Sequence, residues 1–187
     1  MEITVIAGPN GSGKSTLASQ LGLEDSFISA DKIEKSLLSD MLNKEERESK
    51  ATLLVGKAIK TAITENKTFA FETVFATKAI PSFLKSAKGK GYTITLHYVA
   101  TEDCEINIKR VAKRVSEGGH DVPTNKIETR YKETLAILPE LIQFVDTAII
   151  YDNSNETLQP FLAKEDGQIK IIGSVPKWAI NIVGKIS

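Results

Sequence analysis

The sequence predicts an α/β protein built on a parallel sheet, and three observations carry that prediction. Short apolar runs alternate with amphipathic helical stretches, a glycine-rich turn and a helix follow the first run at once, and no apolar stretch is long enough to cross a bilayer. With 187 residues the chain has room for a full sheet flanked by helices within one domain.

The first strand is Ile3 to Ala7, an apolar run without helical spacing, and Lys14 to Leu21 is the helix after the turn. Phe27 to Ala30 reads as the second strand, ending at Asp31 before a charged amphipathic stretch. Leu54, Ala58, Ile59, Ala62 and Ile63 recur at three- and four-residue spacing, which predicts an amphipathic helix over residues 45–65 that stops near Asn66. Thr68 to Phe71 is the third strand, and Thr77 to Lys88 a helix closed by Gly89 and Gly91. Thr93 to Val99 is the fourth strand, followed by a helix over 103–117 that Gly118-Gly119 break. A long helix from Lys126 to Val145 precedes the fifth strand, Ala148 to Tyr151. Strands alternating with helices demand parallel pairing through right-handed crossovers. The tail is different: Phe161 to Ile172 carries Asp166-Gly167 between apolar runs, the pattern of a two-residue hairpin. With no repeat, low-complexity tract or linker, the expectation is a single domain over 1–187, its core 1–154 and its hairpin appendage 155–187.

Hydrophobic residues make up 41% and charged residues 26%, with 24 basic against 24 acidic side chains. That balance is typical of a soluble globular chain and argues against wholesale binding to long nucleic acid or an anionic membrane. Any anionic ligand must be held by a local cluster. The single cysteine, Cys104, cannot form an internal disulfide, and no basic start leads into an apolar run, so a cytoplasmic protein is expected.

Gly8-Pro9-Asn10-Gly11-Ser12-Gly13-Lys14-Ser15 satisfies G-x-x-x-x-G-K-[ST] and lies between a predicted strand and a predicted helix, with Thr16 next in line. Glycines let backbone N–H groups converge on phosphate oxygens, and the helix start adds partial positive charge. Lys14 then neutralises the β- and γ-phosphates of ATP, and Ser15 offers its hydroxyl to Mg²⁺.

Ligands of open α/β sheets gather beyond the carboxyl ends of the strands, where Asp31 and Glu72 stand. Asp31 is either a base accepting the proton of an attacking hydroxyl or the N-cap of the following helix. Glu72 ends an apolar run that would bury an unpaired charge unless a metal-bound water or a substrate hydroxyl lies beside it. Thr73 is either a hydroxyl contact to that group or a plain β-branched strand residue.

Arg110 and Arg114 are four apart on one helix face, just before Gly118-Gly119-His120-Asp121-Val122-Pro123, and Arg130 follows the loop. Guanidinium forks pair with the equatorial oxygens of a phosphoryl group in flight, so these arginines are candidate catalysts on a lid. The plain alternative is a solvated basic face, since Lys109 and Lys113 lie beside them. His120, between a glycine pair and a proline, is either ligand-facing or an ordinary loop histidine. His97 lies within a strand and reads as filler, and Cys104, with no histidine partner or metal-ligand spacing, as structural.

Taken in order, the loop from Gly8 to Thr16, Ser29-Ala30-Asp31, Phe71-Glu72-Thr73, the loop from Gly118 to Pro123, and Arg110, Arg114 and Arg130-Tyr131 resemble the zeta-toxin-like P-loop kinases over residues 1–154. The resemblance implies a three-layer P-loop NTPase fold with a five-stranded parallel sheet ordered 2-3-1-4-5, ATP at the phosphate loop, and a small hydroxyl-bearing substrate over Asp31, Glu72, Thr73 and His120. Zeta toxins phosphorylate the sugar 3′-hydroxyl of UDP-N-acetylglucosamine with the aspartate that matches Asp31 as base. It also raises an antitoxin-like protein partner. A likeness to adenylate-kinase-like enzymes makes Arg110 stack on adenine and Arg114 neutralise phosphate, with Tyr151 to Ser154, Asn153 among them, bordering the base. An ABC-like ATPase is the competing reading, against which stands the lack of a Leu-Ser-Gly-Gly-Gln-like signature and of an Asp-Glu ending on strand three. A regulatory nucleotide-binding module without an acceptor is a further one, against which stands the presence of both Asp31 and Glu72.

Overall fold

A computed structural model describes residues 1–23, 27–37, 43–76, 79–155 and 157–186. Seven strands form one sheet in the order β2-β3-β1-β4-β5-β6-β7. Its parallel part joins β2 (Phe27–Ile28), β3 (Phe69–Thr73), β1 (Glu2–Ala7), β4 (Thr93–Ala100) and β5 (Thr147–Asp152), the predicted order. β1 is the middle strand, hydrogen-bonded on both sides, which is why Ile3, Val5, Ile6 and Ala7 are all buried.

The helices cover the faces unequally. Alternate residues of a strand point to opposite faces, so Ile94, Leu96 and Tyr98 of β4 join Ile3 and Val5 of β1 in the main core. Helices α3 (Lys44–Thr64), α4 (Ser82–Gly89) and α6 (Thr124–Phe144) close that core with Ile59, Leu84, Leu138 and Leu141 among others. On the opposite face α1 (Lys14–Gln20) packs Leu17 against Val99 and Tyr151. Helix α5 (Cys104–Ser116) meets α6 through Val111 and Ile127, with Val122 of the intervening loop between them.

Three boundaries moved for local reasons. The second strand is only two residues long because α2 (Ala30–Leu37) begins at Ala30, where Ser29 Oγ accepts the Lys32 N–H at 3.2 Å and turns the chain. The helix expected from Thr77 starts at Ser82, since Pro81 disfavours helical backbone at Ile80; residues 77–78 lie outside the described ones. The third strand runs on to Thr73, which carries Glu72 and Thr73 to its carboxyl end.

The hairpin is present where Asp166-Gly167 placed it. Both residues have positive φ, 50° and 74°, as a type I′ turn requires. It is more than an appendage: β6 (Gln159–Glu165) pairs antiparallel with β5, and β7 (Gln168–Ile171) with β6, so the pair continues the sheet. Phe161 and Leu162 enter the main core together with Ile182 of α7 (Ile180–Ile186). Trp178 packs edge-on against Phe161 at 5.5 Å and donates Nε1–H to Asp152 Oδ1 at 2.9 Å. Lys164, only 8% exposed, donates to the carbonyls of Ile142, Gln143 and Val145 at 3.0, 2.9 and 2.6 Å, closing the C-terminal end of α6.

Candidate active site

The glycine-rich loop leaves β1 and turns into α1 through backbone that side chains rarely adopt, with φ of 141°, 75° and 104° at Gly8, Gly11 and Gly13. Space is as limiting as angle. A Cβ on Gly8 would run into the Val99 carbonyl oxygen, one on Gly11 would lie 2.7 Å from the Asn107 carbonyl oxygen, and one on Gly13 would strike the Asn153 amide.

Lys14, 5% exposed, donates Nζ–H to the Pro9 carbonyl at 3.0 Å and lies 3.5 Å from Glu72 Oε1. Ser15 donates Oγ–H to Glu72 Oε2 at 3.1 Å. Glu72 is therefore compensated by the two loop residues that the motif assigns to phosphate and cation, which resolves the cost of a charge at the end of an apolar strand. A serine hydroxyl beside a carboxylate is a hard, all-oxygen donor pair that suits a Mg²⁺ retaining several waters. Among the described residues no group of three or more His, Cys, Asp or Glu side chains is arranged to hold a metal on its own.

The loop is tethered from outside by side chains of three other elements. Asn107 of α5, fully buried, donates Nδ2–H to the Asn10 carbonyl at 2.7 Å and accepts the Thr101 hydroxyl on Oδ1. Arg130 of α6 donates to Asn10 Oδ1 at 3.2 Å. Asn153, just past β5, donates Nδ2–H to the Ser12 carbonyl at 2.7 Å and its backbone N–H to Ala100 O at 2.8 Å. Asn153 thus grips the loop from behind. Tyr131 donates its hydroxyl to the Thr101 carbonyl at 2.7 Å; burial, then the nearby Asp103, pushes that phenol well up, so it stays a donor.

Facing the loop is the start of α2. Ser29 has the capping role, and Asp31, in the first turn and exposed, is among the residues that line the cavity. Behind it, Glu34 accepts Arg47 Nε–H at 2.7 Å. The His120 ring lies between two carboxylates, with Nδ1 3.8 Å from Glu34 Oε2 and Nε2 3.6 Å from Glu48 Oε1. Its carbonyl accepts Nε–H and Nη2–H of Arg114 at 3.0 and 2.6 Å, so that arginine shapes the loop as well as facing the cavity. Thr73 Oγ1 accepts the Phe75 N–H at 3.1 Å and holds Phe75 at φ 49°.

One cavity of about 850 Å³ gathers most of the predicted residues: Asn10, Gly11, Gly13, Lys14, Ser15 and Thr16 from the loop side, Asp31, Glu72 and Thr73 opposite, and Arg110, Arg114, His120 and Arg130 above. Gly8, Pro9, Ser12 and Asn153 do not line it; they form its supporting layer. Arg110 Nη1, on the cavity wall, is buried without a hydrogen-bond partner among the described residues, an unmet demand of the kind a polyanionic ligand fills, and Ser12 Oγ is likewise unpartnered in the supporting layer. The sequence reading passed over Asn107, Glu34 and Glu48. Asn107 left a signal, being a polar residue on the buried stripe that it shares with Val111. The two glutamates left none, because only the tertiary arrangement turns them inward.

The remaining titratable candidates fall to structural roles. His97 is buried and shares Nδ1 with the Tyr151 hydroxyl at 3.0 Å; burial lowers its pKa against a small opposing pull from Glu2, so the ring is neutral. Burial, then Glu128, Glu105 and Asp103, pushes the Cys104 thiol up, which makes it a poor nucleophile.

A parallel core in this strand order, with the phosphate loop after its middle strand, gives the chain a P-loop kinase-like α/β fold. The AAA-domain family AAA_33 matches residues 3–135, and the chain belongs to that family. An uncharacterized protein of Haemophilus influenzae is 31% identical over 131 residues, which cover 66% of this chain and 88% of that one. Among solved structures, the AvrRxo1-ORF1:-ORF2 complex with ATP matches with a TM-score of 0.76 at 13% identity, covering all of this chain. The present chain spans 63% of that protein's length. A chain of the PezAT chromosomal toxin-antitoxin system of Streptococcus pneumoniae matches with a TM-score of 0.62 at 16% identity, covering 100% of this chain and 77% of the other. No described helix is long and apolar enough to cross a membrane.

Proposed function

We propose that this protein is a cytoplasmic, ATP-dependent kinase that transfers the γ-phosphoryl group to a hydroxyl of a small molecule. The observation that carries the reading is that Lys14, Ser15, Asp31 and Glu72 line one cavity large enough for a triphosphate and an acceptor together. ATP bound to the AvrRxo1 complex supports nucleotide at the loop, and the toxin-antitoxin system named for PezAT supports a zeta-toxin-like member with an antitoxin-like protein partner.

In this mechanism the loop N–H groups cradle the β- and γ-phosphates, and Lys14 Nζ exchanges its contacts with Pro9 O and Glu72 for phosphate oxygens. Ser15 and Glu72 would hold Mg²⁺, which would supply positive charge to offset that of the phosphates. Asp31 accepts the proton of the acceptor hydroxyl as its oxygen forms the new bond to the γ-phosphorus and the bond to the ADP oxygen breaks. Arg130 and the N–H groups of Arg114 not given to His120 neutralise the equatorial oxygens. Arg110 stacks on the adenine, with Nη1 free to take a ligand oxygen. The zeta-toxin resemblance makes a UDP-sugar one candidate acceptor.

The experiment is ADP release from ATP-Mg²⁺ against a panel of UDP-sugars, nucleosides, nucleotides, amino alcohols and short oligonucleotides. Acceptor-dependent release that vanishes in Lys14→Met is the expected result. Release that ignores every acceptor would replace the kinase with an ATPase.

A further inference from the structure

The turn that leaves β5 touches the candidate site at three points. Asn153 donates Nδ2–H to the Ser12 carbonyl at 2.7 Å and its backbone N–H to the Ala100 carbonyl at 2.8 Å, which ties the phosphate loop to the end of β4. Ser154 Oγ accepts the Glu102 N–H at 2.7 Å and so fixes the chain just after β4 as well. The Asn155 carbonyl accepts Arg110 Nη2–H at 3.2 Å and orients the guanidinium whose Nη1 is unpartnered on the cavity wall. Residues 153–155 lie beyond the last ladder pairs of β5, which Asp152 makes with Ala100 and Gln159, so their backbone must be held by side chains.

The Asp152 carboxylate is the hub of that hold. Its Oδ1 accepts Ser154 Oγ–H at 2.6 Å and Trp178 Nε1–H at 2.9 Å. Trp178 belongs to the segment after β7, and Gly173 lets that segment turn back close to β6. The Ile172 and Gly173 N–H groups share the Phe161 carbonyl at 2.9 and 3.3 Å, and a Cβ on Gly173 would lie 2.6 Å from the Pro160 carbonyl oxygen. The indole then stands edge-on to Phe161 with ring centroids 5.5 Å apart, which sets the direction of its N–H. That N–H is a donor only and carries one hydrogen, so it pins Oδ1 at the place where Ser154 binds it. We infer that Trp178 is a positioning residue for the nucleotide. Through Asp152 and Ser154 it sets the turn whose Asn153 holds the phosphate loop and whose Asn155 aims Arg110. The role rests on the reading that a nucleotide occupies the loop, not on phosphoryl transfer. It makes the segment after β7 part of the binding machinery without touching the ligand.

The test is calorimetric titration of the full chain with a non-hydrolysable ATP analogue and Mg²⁺, each sample checked for folding by thermal melting. Trp178→Phe keeps a ring against Phe161 and removes the donor, and it should weaken binding by about three- to tenfold. Ser154→Ala breaks the link from Asp152 into the turn from the other side and should weaken binding by a similar factor, so it carries the test should Trp178→Phe not fold. Because both act along one path, the double variant should bind no more than about twofold worse than the weaker single one. Lys164→Met, which loosens the opposite end of β5 beside Ala148, should lower the melting temperature and leave the affinity unchanged. Binding by Trp178→Phe within about 1.5-fold of the parent overturns the inference. So do penalties that multiply in the double variant, or a loss of affinity in Lys164→Met equal to that in Trp178→Phe, which would mark a general effect of stability. The two readings fail separately: no binding of the analogue by the parent chain sinks the nucleotide reading and this role with it, whereas binding by the parent with any of the reversals above sinks the positioning role alone.

Discussion

Replacing Asp31 with asparagine keeps the side chain's shape and removes its charge and its ability to take a proton. The surrounding structure makes the two consequences separable. N-capping of α2 belongs to Ser29, whose Oγ accepts the Lys32 N–H at 3.2 Å, and Asp31 is exposed in the first turn. The stability at stake is then only its favourable place near a helix N-terminus, about 0.3–1 kcal/mol, which moves the melting temperature of a chain this size by about 1–4 °C. Loss of a general base lowers the transfer rate by about 10²–10⁴, equivalent to about 3–5 kcal/mol of barrier. The assay is acceptor-dependent ADP release under saturating ATP, run beside thermal melting of the same samples. Ser29→Ala is the structural control, expected to cost about 1 kcal/mol of stability through the lost cap. A rate within about threefold of the parent would refute Asp31 as the base, and a melting loss beyond about 6 °C would return it to a structural role.

Asn107→Leu leaves the Asn10 carbonyl and the Thr101 hydroxyl without their buried partner, a loss of about 1–3 kcal/mol, and it should raise the KM for ATP more than it lowers kcat, as an ATP titration would show. Lys164→Met strips the carbonyls of Ile142, Gln143 and Val145 of their donor and should cost about 2 kcal/mol, or about 4–8 °C by thermal melting. Partial burial pushes the Asp146 carboxyl up, but the Ile94 N–H at 2.8 Å and the Lys88 ammonium at 3.0 Å outweigh it and hold its pKa below the ordinary value. A carboxyl depressed in the folded state adds stability that is full above its unfolded pKa and is lost as pH falls through the folded one. Asp146→Asn should therefore cost about 0.5–1 kcal/mol in urea unfolding at pH 7, both partners being about a third exposed, with the deficit shrinking below about pH 4.

What could be read from the chain alone followed physical locality. The phosphate loop was fully legible because its function depends on consecutive residues whose glycines show the required backbone, and the Asp166-Gly167 hairpin was legible for the same reason. The strand order came from family resemblance, since spacing along a chain carries no information about lateral neighbours. Asp31 was ambiguous because a carboxylate at a helix start fits a cap as well as a base; Ser29 Oγ takes the capping bond from Lys32, and the base remains the proposal. Glu72 was expected to need a ligand beside it, whereas Lys14 and Ser15 meet that need themselves. Glu34 and Glu48 were invisible: each is an ordinary charge on an amphipathic helix until α2 and α3 turn them toward the loop after α5.

The burial of Phe161, Leu162, Ala179 and Ile182 in the same core as Ile3 and Val5 has a bearing on how the chain matures on the ribosome. Synthesis delivers β1 well before these residues, so the hydrophobic interior around it is incomplete until residue 182 has cleared the exit tunnel. Until then the long helix α6 lacks Lys164 at its C-terminal end and β5 has an open flank. Fragments ending near residue 154, although they contain the whole phosphate loop, would lack Phe161, Leu162, Ala179 and Ile182 of that core and are candidates for chaperone capture and proteolysis.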